Sequence, residues 1–359
     1  MRVLMTADAV GGVWTYALDL ARALGGAGVR TTLAVVGPAP SPDQVRAAHA
    51  VPGLTLLETG LPLDWMATEP AEILEVGAAL RGLARGVRAD LIHLNSPAFA
   101  SVGDFPAPVV GVCHSCLATW WSAVKDGPMP ADFRWRTQAL WQGLHACDAL
   151  IAPTRAFADE TAAAYDLPRP HAVWNGRNPG AAKASHRERM VFTSGRLWDE
   201  GKNLAVLDEA ASLMSAPLHA AGPEQGPNDA GVRLKHARVL GRLSSHDVAE
   251  WLARAPVYAS SALYEPFGLG VLEAAQAGCA LVLSDIPTFR ELWDEAAVFI
   301  DPTDARGFAA ALEQLVDDAA GREALAAKAL ARAQRYSVEA MTSGVLDLYR
   351  QLHPELAAA

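Results

Sequence analysis

Cysteine is scarce, with four residues in a chain of 359. So few thiols in so long a chain exclude a disulfide-built fold, and a reducing cytoplasm is the expected setting. Cys113-His114-Ser115-Cys116 resembles a metal or redox pair. Zinc needs about four matched ligands, and only His145 and Cys147 lie near in sequence. Two small buried thiols at a strand end is the preferred reading, and no metal is expected. Positive charge is also short: 30 Lys and Arg stand against 40 Asp and Glu, a formal charge of -10. That balance argues against a nucleic-acid binder and against simple electrostatic docking on an anionic membrane. No run of about 18 uncharged apolar residues occurs, so no spanning helix is expected. The start, MRVLMTADAVGG, runs from one Arg into a strand-like stretch, without the apolar region and cleavage site of a signal peptide.

Apolar residues make up 51% of the chain, and its length exceeds the ~250–300 residues at which a single core stops growing, so two domains are expected. Strands and helices alternate from the start. Arg2–Thr6, Thr31–Val36, Thr55–Glu58, Asp90–Leu94, Val109–Cys113 and Ala149–Ala152 read as strands. Trp14–Leu24, Ile73–Arg85 and Arg134–His145 read as helices. This is the βαβ rhythm of a parallel sheet covered on both faces. Residues 166–185, which include HAVWNGRNPGAAKAS, break the rhythm with prolines and glycines and read as a linker. The rhythm restarts at Met190–Thr193 and continues through Leu269–Ala277 and Ala280–Leu283 to a last helix at Val338–Leu352. The expected division is a first α/β domain over 1–175 and a second over 186–337. In open α/β sheets, ligands bind beyond the carboxyl ends of the strands.

Three stretches could carry chemistry. Asp8–Trp14, DAVGGVW, follows the first strand and opens a helix. Gly11 and Gly12 let backbone N–H groups approach a ligand, and a helix start favours an anion. The bland alternative is a tight turn. Ser194–Asn203, SGRLWDEGKN, puts Arg196 and Lys202 at the end of a strand, where a planar fork and a mobile point charge could clamp a diphosphate. The alternative is two surface cations neutralised by Asp199 and Glu200. In EPFGLGVLEA, Glu265 and Glu273 flank a glycine-bearing turn, and the amides of Phe267, Gly268, Leu269 and Gly270 are the donors of a helix start. The alternative is dipole compensation by Glu273, with Glu265 as an N-cap-like residue. That alternative gives no reason for a rigid Glu-Pro-Phe-Gly turn. A ligand with an anionic middle and hydroxyl-bearing ends does.

The Glu-x7-Glu spacing of Glu265 and Glu273 resembles the signature of the family-four retaining glycosyltransferases of GT-B fold. The resemblance covers nearly the whole chain: GGVWTYALDLARAL looks like the family's first loop and helix, SGRLWDEGKN like its Gly-Arg-Leu…Lys element, VWNGRN like its hinge motif, and VLGRLSSHDVAEWLARA like its base-binding loop. It implies two facing Rossmann-like domains, an acceptor domain and a donor domain, with the C-terminal helix (about 338–359) crossing back to the first. By this resemblance Glu265 binds donor-sugar hydroxyls and Glu273 the ribose. Arg196 and Lys202 neutralise the diphosphate, Arg242 and Leu243 sit by the base, and His114 faces the transferred sugar. Three departures stand out: Asn203 follows Lys202 where the family's commonest pattern has Gly, Val338 stands where Trp is expected, and the chain is shorter than many members, so pared-down acceptor-binding loops are expected.

The implied reaction moves a hexose from a nucleotide diphosphate sugar, provisionally UDP-glucose, to an acceptor hydroxyl with the anomeric configuration retained. No Asp-x-Asp occurs, the pair that holds a metal in the other common glycosyltransferase fold, so the two cations are expected to serve without metal or other cofactor. Trp120 and Trp121 are candidates to stack on an acceptor, though Trp is also ordinary core material. The acceptor is read as a sugar or small molecule, with a lipid left open. The rival readings are another GT-B enzyme, such as a sugar-nucleotide epimerase or a phosphorylase, and a non-catalytic nucleotide-sugar-binding subunit.

Overall fold

Short apolar runs between turn residues become strands because both of their faces are covered. The computed structural model describes residues 1–180, 186–226 and 230–353. The chain divides into two compact units. One takes in Met1–Ser122, Asp126–Gly176 and the chain from Val338 onward; the other takes in Ala123–Lys125 and Arg177–Ser337.

In the first unit, strands β1 (Arg2–Asp8), β2 (Arg30–Val36), β3 (Leu54–Glu58), β4 (Leu91–Leu94), β5 (Val109–Val112), β6 (Ala149–Ala152) and β7 (His171–Ala172) form one parallel sheet in the order β3-β2-β1-β4-β5-β6-β7. Its helices are α1 (Gly12–Gly26), α2 (Pro42–His49), α3 (Pro70–Gly86), α4 (Leu117–Val124), α5 (Ala131–Ala146) and α6 (Arg155–Tyr165). In the second unit, β8 (Val191–Ser194), β9 (Leu218–Ala221), β10 (Arg238–Gly241), β11 (Val257–Ser260), β12 (Ala280–Ser284) and β13 (Val298–Ile300) form a parallel sheet in the order β10-β9-β8-β11-β12-β13. Helices α7 (Leu204–Ser212), α8 (Ser245–Arg254), α9 (Leu269–Gln276), α10 (Pro287–Trp293), α11 (Ala305–Asp317) and α12 (Ala319–Ala333) accompany it. The last helix, α13 (Val338–Leu352), returns to the first unit.

Alternation along β1 shows how the first core divides. Val3 and Met5 join α1 and α13 on one face, with Met341, Val345, Leu348 and Tyr349 of α13 in the same cluster. Leu4 points the other way, to Ile73, Val76 and Leu80 of α3. Val338, standing where Trp was expected, is buried in the α13 cluster. Among the described residues, no helix is long and apolar enough to cross a membrane.

The structure adds elements that periodicity does not reveal. Helix α2 buries only Ala48, so it has no apolar stripe. It is started instead by Pro42 and a capping box, in which Ser41 Oγ accepts from Gln44 N and Gln44 Oε1 accepts from Ser41 N. Helix α6 begins at Thr154, whose hydroxyl accepts from Phe157 N at 3.1 Å. The stretch read as a linker includes two strand residues, His171 and Ala172, which pair with Ile151 and Ala152. Residues 181–185 of that stretch, and 354–359 of the expected last helix, lie outside the described residues.

One carboxylate shapes the approach to β10. Asp208, on α7, is buried and accepts from three consecutive backbone amides: Lys235 at 2.9 Å, His236 at 2.8 Å and Ala237 at 2.9 Å. Burial pushes this acid up, but the three amides outweigh it and hold its pKa below the ordinary 3.8. A depressed carboxylate contributes stability that is complete above the unfolded-chain value and is lost as pH falls through the folded one. Asp208→Ala is therefore expected to lower the unfolding free energy by about 1–3 kcal/mol at pH 7. The gap from the unsubstituted chain should narrow as pH drops below 3.8 in chemical denaturation. A gap that does not change with pH would contradict this reading.

Candidate active site

The second unit builds its pocket where β8 ends. Ser194 and Gly195 lead into a loop that closes with a single 3-10 turn, Glu200–Lys202. Asn203 follows with φ 54°, in the left-handed region that favours glycine and that Asn tolerates better than most side chains. The resemblance implies Gly at this position, and Asn203 takes a backbone conformation that glycine adopts readily. Asn203 then uses its side chain to fix the loop, donating Nδ2 to the carbonyls of Ser261 (3.1 Å) and Pro302 (2.7 Å). The Gly201 carbonyl accepts from Leu263 N (2.9 Å) and Tyr264 N (3.1 Å), and Ser261 Oγ donates to the Asn203 carbonyl (2.8 Å). Thr288 Oγ1 holds the Glu265 carbonyl at 2.7 Å.

These ties deliver Lys202 Nζ onto Glu265 Oε2 as an ion pair, each side chain less than one-fifth exposed. The pair lines a small pocket with Ser194, Tyr258, Ser261 and Gly270. Tyr258 donates its hydroxyl to the Ser194 carbonyl at 3.2 Å, and burial pushes that hydroxyl's pKa well up, so it stays protonated.

The turn before α9 explains its glycines. Gly268 is the N-cap, with φ 88°, and no side chain caps the helix. Glu265 is therefore not a cap, contrary to the bland reading, and its carboxylate belongs to Lys202. A Cβ on Gly270 would lie 2.8 Å from the Tyr258 hydroxyl, so only glycine fits there. The Phe267 side chain is buried against Tyr336, with ring centroids 5.9 Å apart, so only its backbone is left for a ligand. The amides of Leu269 and Gly270 open the helix and have no carbonyl four residues back within it. Glu273 falls in the second turn, so α9 has no acid in its first turn to compensate the dipole. Its carboxylate pairs with Arg177 at 2.8 Å, and Gln276 Nε2 holds the Arg177 carbonyl at 2.8 Å.

Not every sequence candidate joins the pocket. Arg196 lies on Asp199 at 2.8 Å and over the Trp198 ring at 5.6 Å, half-exposed and outside the lining, so part of the local-neutralisation reading holds for it. Arg242, exposed, and Leu243, half-buried, follow β10 outside the lining.

The remaining candidates lie in the first unit. Gly11 and Gly12 are exposed at the start of α1, with open space around Gly11. His114 follows β5, and its Nε2 lies 2.7 Å from Asn95 Oδ1. Burial pushes its pKa down to about 4, so the imidazole is neutral at pH 7. Trp120 and Trp121 cluster with Phe133, and Trp121 Nε1 donates to the Gly127 carbonyl at 3.0 Å. Cys113 and Cys116 are buried, the latter with its sulfur 2.9 Å from Thr119 Oγ1. Ser194, Tyr258 and Asn95 were missed in sequence. Ser194 opens the SGR motif and could have been included. Tyr258 and Asn95 carry no local signal, because only tertiary contacts bring them to their sites.

The sequence model described as Glycosyltransferase Family 4 matches residues 10–180, and that described as Glycosyl transferases group 1 matches residues 188–318. The chain belongs to the family-four glycosyltransferases. Its relatives include a D-inositol 3-phosphate glycosyltransferase of Nocardioides, 25% identical over 99% of this chain and 88% of that protein. An O-antigen chain mannosyltransferase B of Escherichia coli is 31% identical, over 34% of this chain and 32% of that protein. The chain thus matches about a third of one relative's length and most of the other's. Among solved structures, the sucrose-phosphate synthase of Thermosynechococcus elongatus superposes with TM-score 0.79 over 100% of both chains at 18% identity. The HepE protein of Anabaena, solved with UDP-glucose, gives 0.77 over 98% of this chain and 100% of that one, at 18% identity. The fold of this glycosyltransferase is GT-B.

The fit of Gly270 against Tyr258 can be measured. Ala has a helix propensity about 1 kcal/mol better than Gly. The clash with the Tyr258 hydroxyl should outweigh that gain, with overpacking costing about 1–3 kcal/mol. Gly270→Ala is expected to destabilise the protein, and adding Tyr258→Phe should recover most of the loss in thermal or chemical unfolding. A neutral Gly270→Ala would show that the approach is not tight.

Proposed function

We propose that this glycosyltransferase moves a hexose from a nucleotide diphosphate sugar to an acceptor hydroxyl, with retention at the anomeric carbon and without a divalent metal. The observation that carries the reading is the convergence of Lys202, Glu265 and the start of α9 beyond the carboxyl end of β8. A cation and unsatisfied helix amides suit a diphosphate, and an adjacent acid suits sugar hydroxyls.

Breaking the sugar–phosphate bond leaves negative charge on the β-phosphate and positive character on the sugar ring. Fixed donors aimed at that charge lower the barrier most. Lys202 and the amides of Leu269 and Gly270 take this role. Arg196 joins them by exchanging Asp199 for phosphate oxygen. Glu265 accepts from donor-sugar hydroxyls and Glu273 from the ribose, while Arg242 and Leu243 flank the base. His114, neutral, contacts the transferred hexose, and Gly11 and Gly12 leave backbone amides accessible near it. No carboxylate is nominated as a covalent nucleophile. The acceptor attacks from the face the diphosphate leaves, and the departing phosphate takes its proton.

UDP-glucose is the first donor to test, because a protein of the same fold was crystallised with it. The mannosyltransferases among the relatives make a mannose donor the second. The acceptor is a hydroxyl-bearing sugar or small molecule, met by Trp120 or Trp121. A lipid acceptor is a further arm of the test, since one relative is a phosphatidyl-myo-inositol mannosyltransferase. Four cysteines in a chain this long suit a reducing cytoplasm, the compartment we propose.

A panel of nucleotide sugars, followed by NMR for donor hydrolysis and product anomer, tests the reading. Each charge-assisted hydrogen bond is worth about 1.5–3 kcal/mol. Lys202→Ala and Arg196→Ala should therefore each slow turnover about 10- to 100-fold. The product should keep the donor's anomeric configuration, and a chelator should leave the rate unchanged. Inversion, or activity abolished by chelation and restored only by manganese, would refute this reading.

A further inference from the structure

At the carboxyl end of β4, Asn95 is buried beside β1. Its backbone N–H donates to Thr6 Oγ1 at 2.9 Å, and its side-chain Nδ2 donates to the Thr6 carbonyl at 2.6 Å. A carbonyl oxygen only accepts, so the carboxamide atom facing Thr6 must be nitrogen and the carboxamide oxygen must point the other way. That oxygen lies 2.7 Å from His114 Nε2. It too can only accept, so Nε2 carries a proton. Because burial keeps the His114 ring neutral at pH 7, it holds one proton only, and Nδ1 is left as a lone pair.

The rings packed nearby are neutral. The Tyr16 ring from α1 meets His114 edge-on, with centroids 4.7 Å apart. His93, on β4, is buried with the Tyr349 hydroxyl of α13 2.7 Å from Nδ1 and the Tyr16 hydroxyl 3.5 Å from Nε2. Burial pushes His93 down to about 3, so it is neutral as well. Among the described residues, no protein group hydrogen-bonds His114 Nδ1.

We propose that Asn95 is a positioning residue that locks His114 in the Nε2–H tautomer, so that Nδ1 accepts a hydrogen bond from a hydroxyl of the sugar substrate. The identity of that substrate rests on the hexosyl-transfer reading; the tautomer does not. The consequence is selective. A hydroxyl can donate to Nδ1, whereas a carbonyl or phosphate oxygen at the same place meets lone pair with lone pair. His114 also cannot deliver a proton through Nδ1, so it serves in orientation rather than as an acid. Aspartate at position 95 would keep the acceptor oxygen and add charge; leucine would remove both.

The test is the imidazole ¹⁵N spectrum of the histidine-labelled full chain at pH 7, with His114 assigned by the signals lost in His114→Gln. The expected result is a bare Nδ1 and a protonated Nε2 for His114. Asn95→Asp should keep that tautomer and raise the His114 titration. Asn95→Leu should give mixed tautomers and transfer slowed about 10-fold or more, chiefly in kcat. A wild-type His114 protonated on Nδ1 or mixed, or an Asn95→Leu variant with the tautomer or the rate unchanged, overturns the proposal. If Asn95→Leu does not fold, the wild-type and Asn95→Asp spectra decide. If the wild type transfers no hexose from any nucleotide sugar, the functional reading falls while the spectrum still decides on Asn95.

Discussion

Lys202 and Glu265 lie 63 positions apart in sequence and meet because the backbone leaves them little choice. The carbonyl of Gly201 accepts two amides from the segment leading to Glu265, and Asn203 and Ser261 exchange hydrogen bonds across the same seam. The ammonium is thereby aimed into the pocket without the entropy cost of ordering a free lysine. Its carboxylate partner keeps the pair near neutrality, where an unpaired, four-fifths-buried charge would be costly. Other local devices shape the second unit around it. Gly268 adopts the backbone that starts α9 beside the pair, and Gly270 lets that helix approach Tyr258. Asp208 ties down the loop that leads to β10.

The first unit follows a different logic. Its functional candidate, His114, is half-buried and is set by neutral hydrogen bonds rather than by charge. The chain from Thr6 through Asn95 to His114 joins the ends of β1, β4 and β5, three neighbouring strands of the sheet. Tyr349 reaches the neighbouring His93 from α13, so the last helix contributes a polar contact as well as Met341, Val345 and Leu348 to the core. This is an orientation device: the Thr6 carbonyl and the Asn95 carboxamide fix which atom donates and which accepts as far as His114 Nε2.

Much of this was legible in the sequence where local physics decides. Apolar runs such as those of β6 and β12 read as strands at that length, and the last helix, read at about Val338–Leu352, agrees with α13 as described. The Glu-Pro-Phe-Gly turn announced a helix start at Leu269. Helix α2 escaped because one buried alanine makes no stripe. The partners escaped for a different reason. That Glu273 meets Arg177, that Arg196 rests on Asp199, and that Asn95 holds His114 are outcomes of strand order and loop docking, which no local pattern encodes. The displaced Gly of the Lys202 loop shows a middle case: sequence flagged Asn203 as a departure, and its φ of 54° explains why it is tolerated.

The central claim is that the Lys202–Glu265 pocket receives the diphosphate and sugar of a nucleotide sugar. A crystal structure of the full chain soaked with UDP-glucose, and in parallel with the corresponding mannose donor, tests it most directly. The diphosphate is expected within hydrogen-bonding distance of Lys202 Nζ and the amides of Leu269 and Gly270, with the hexose hydroxyls on Glu265 and the ribose on Glu273. A nucleotide sugar bound with its diphosphate away from Lys202 and the start of α9 would contradict it.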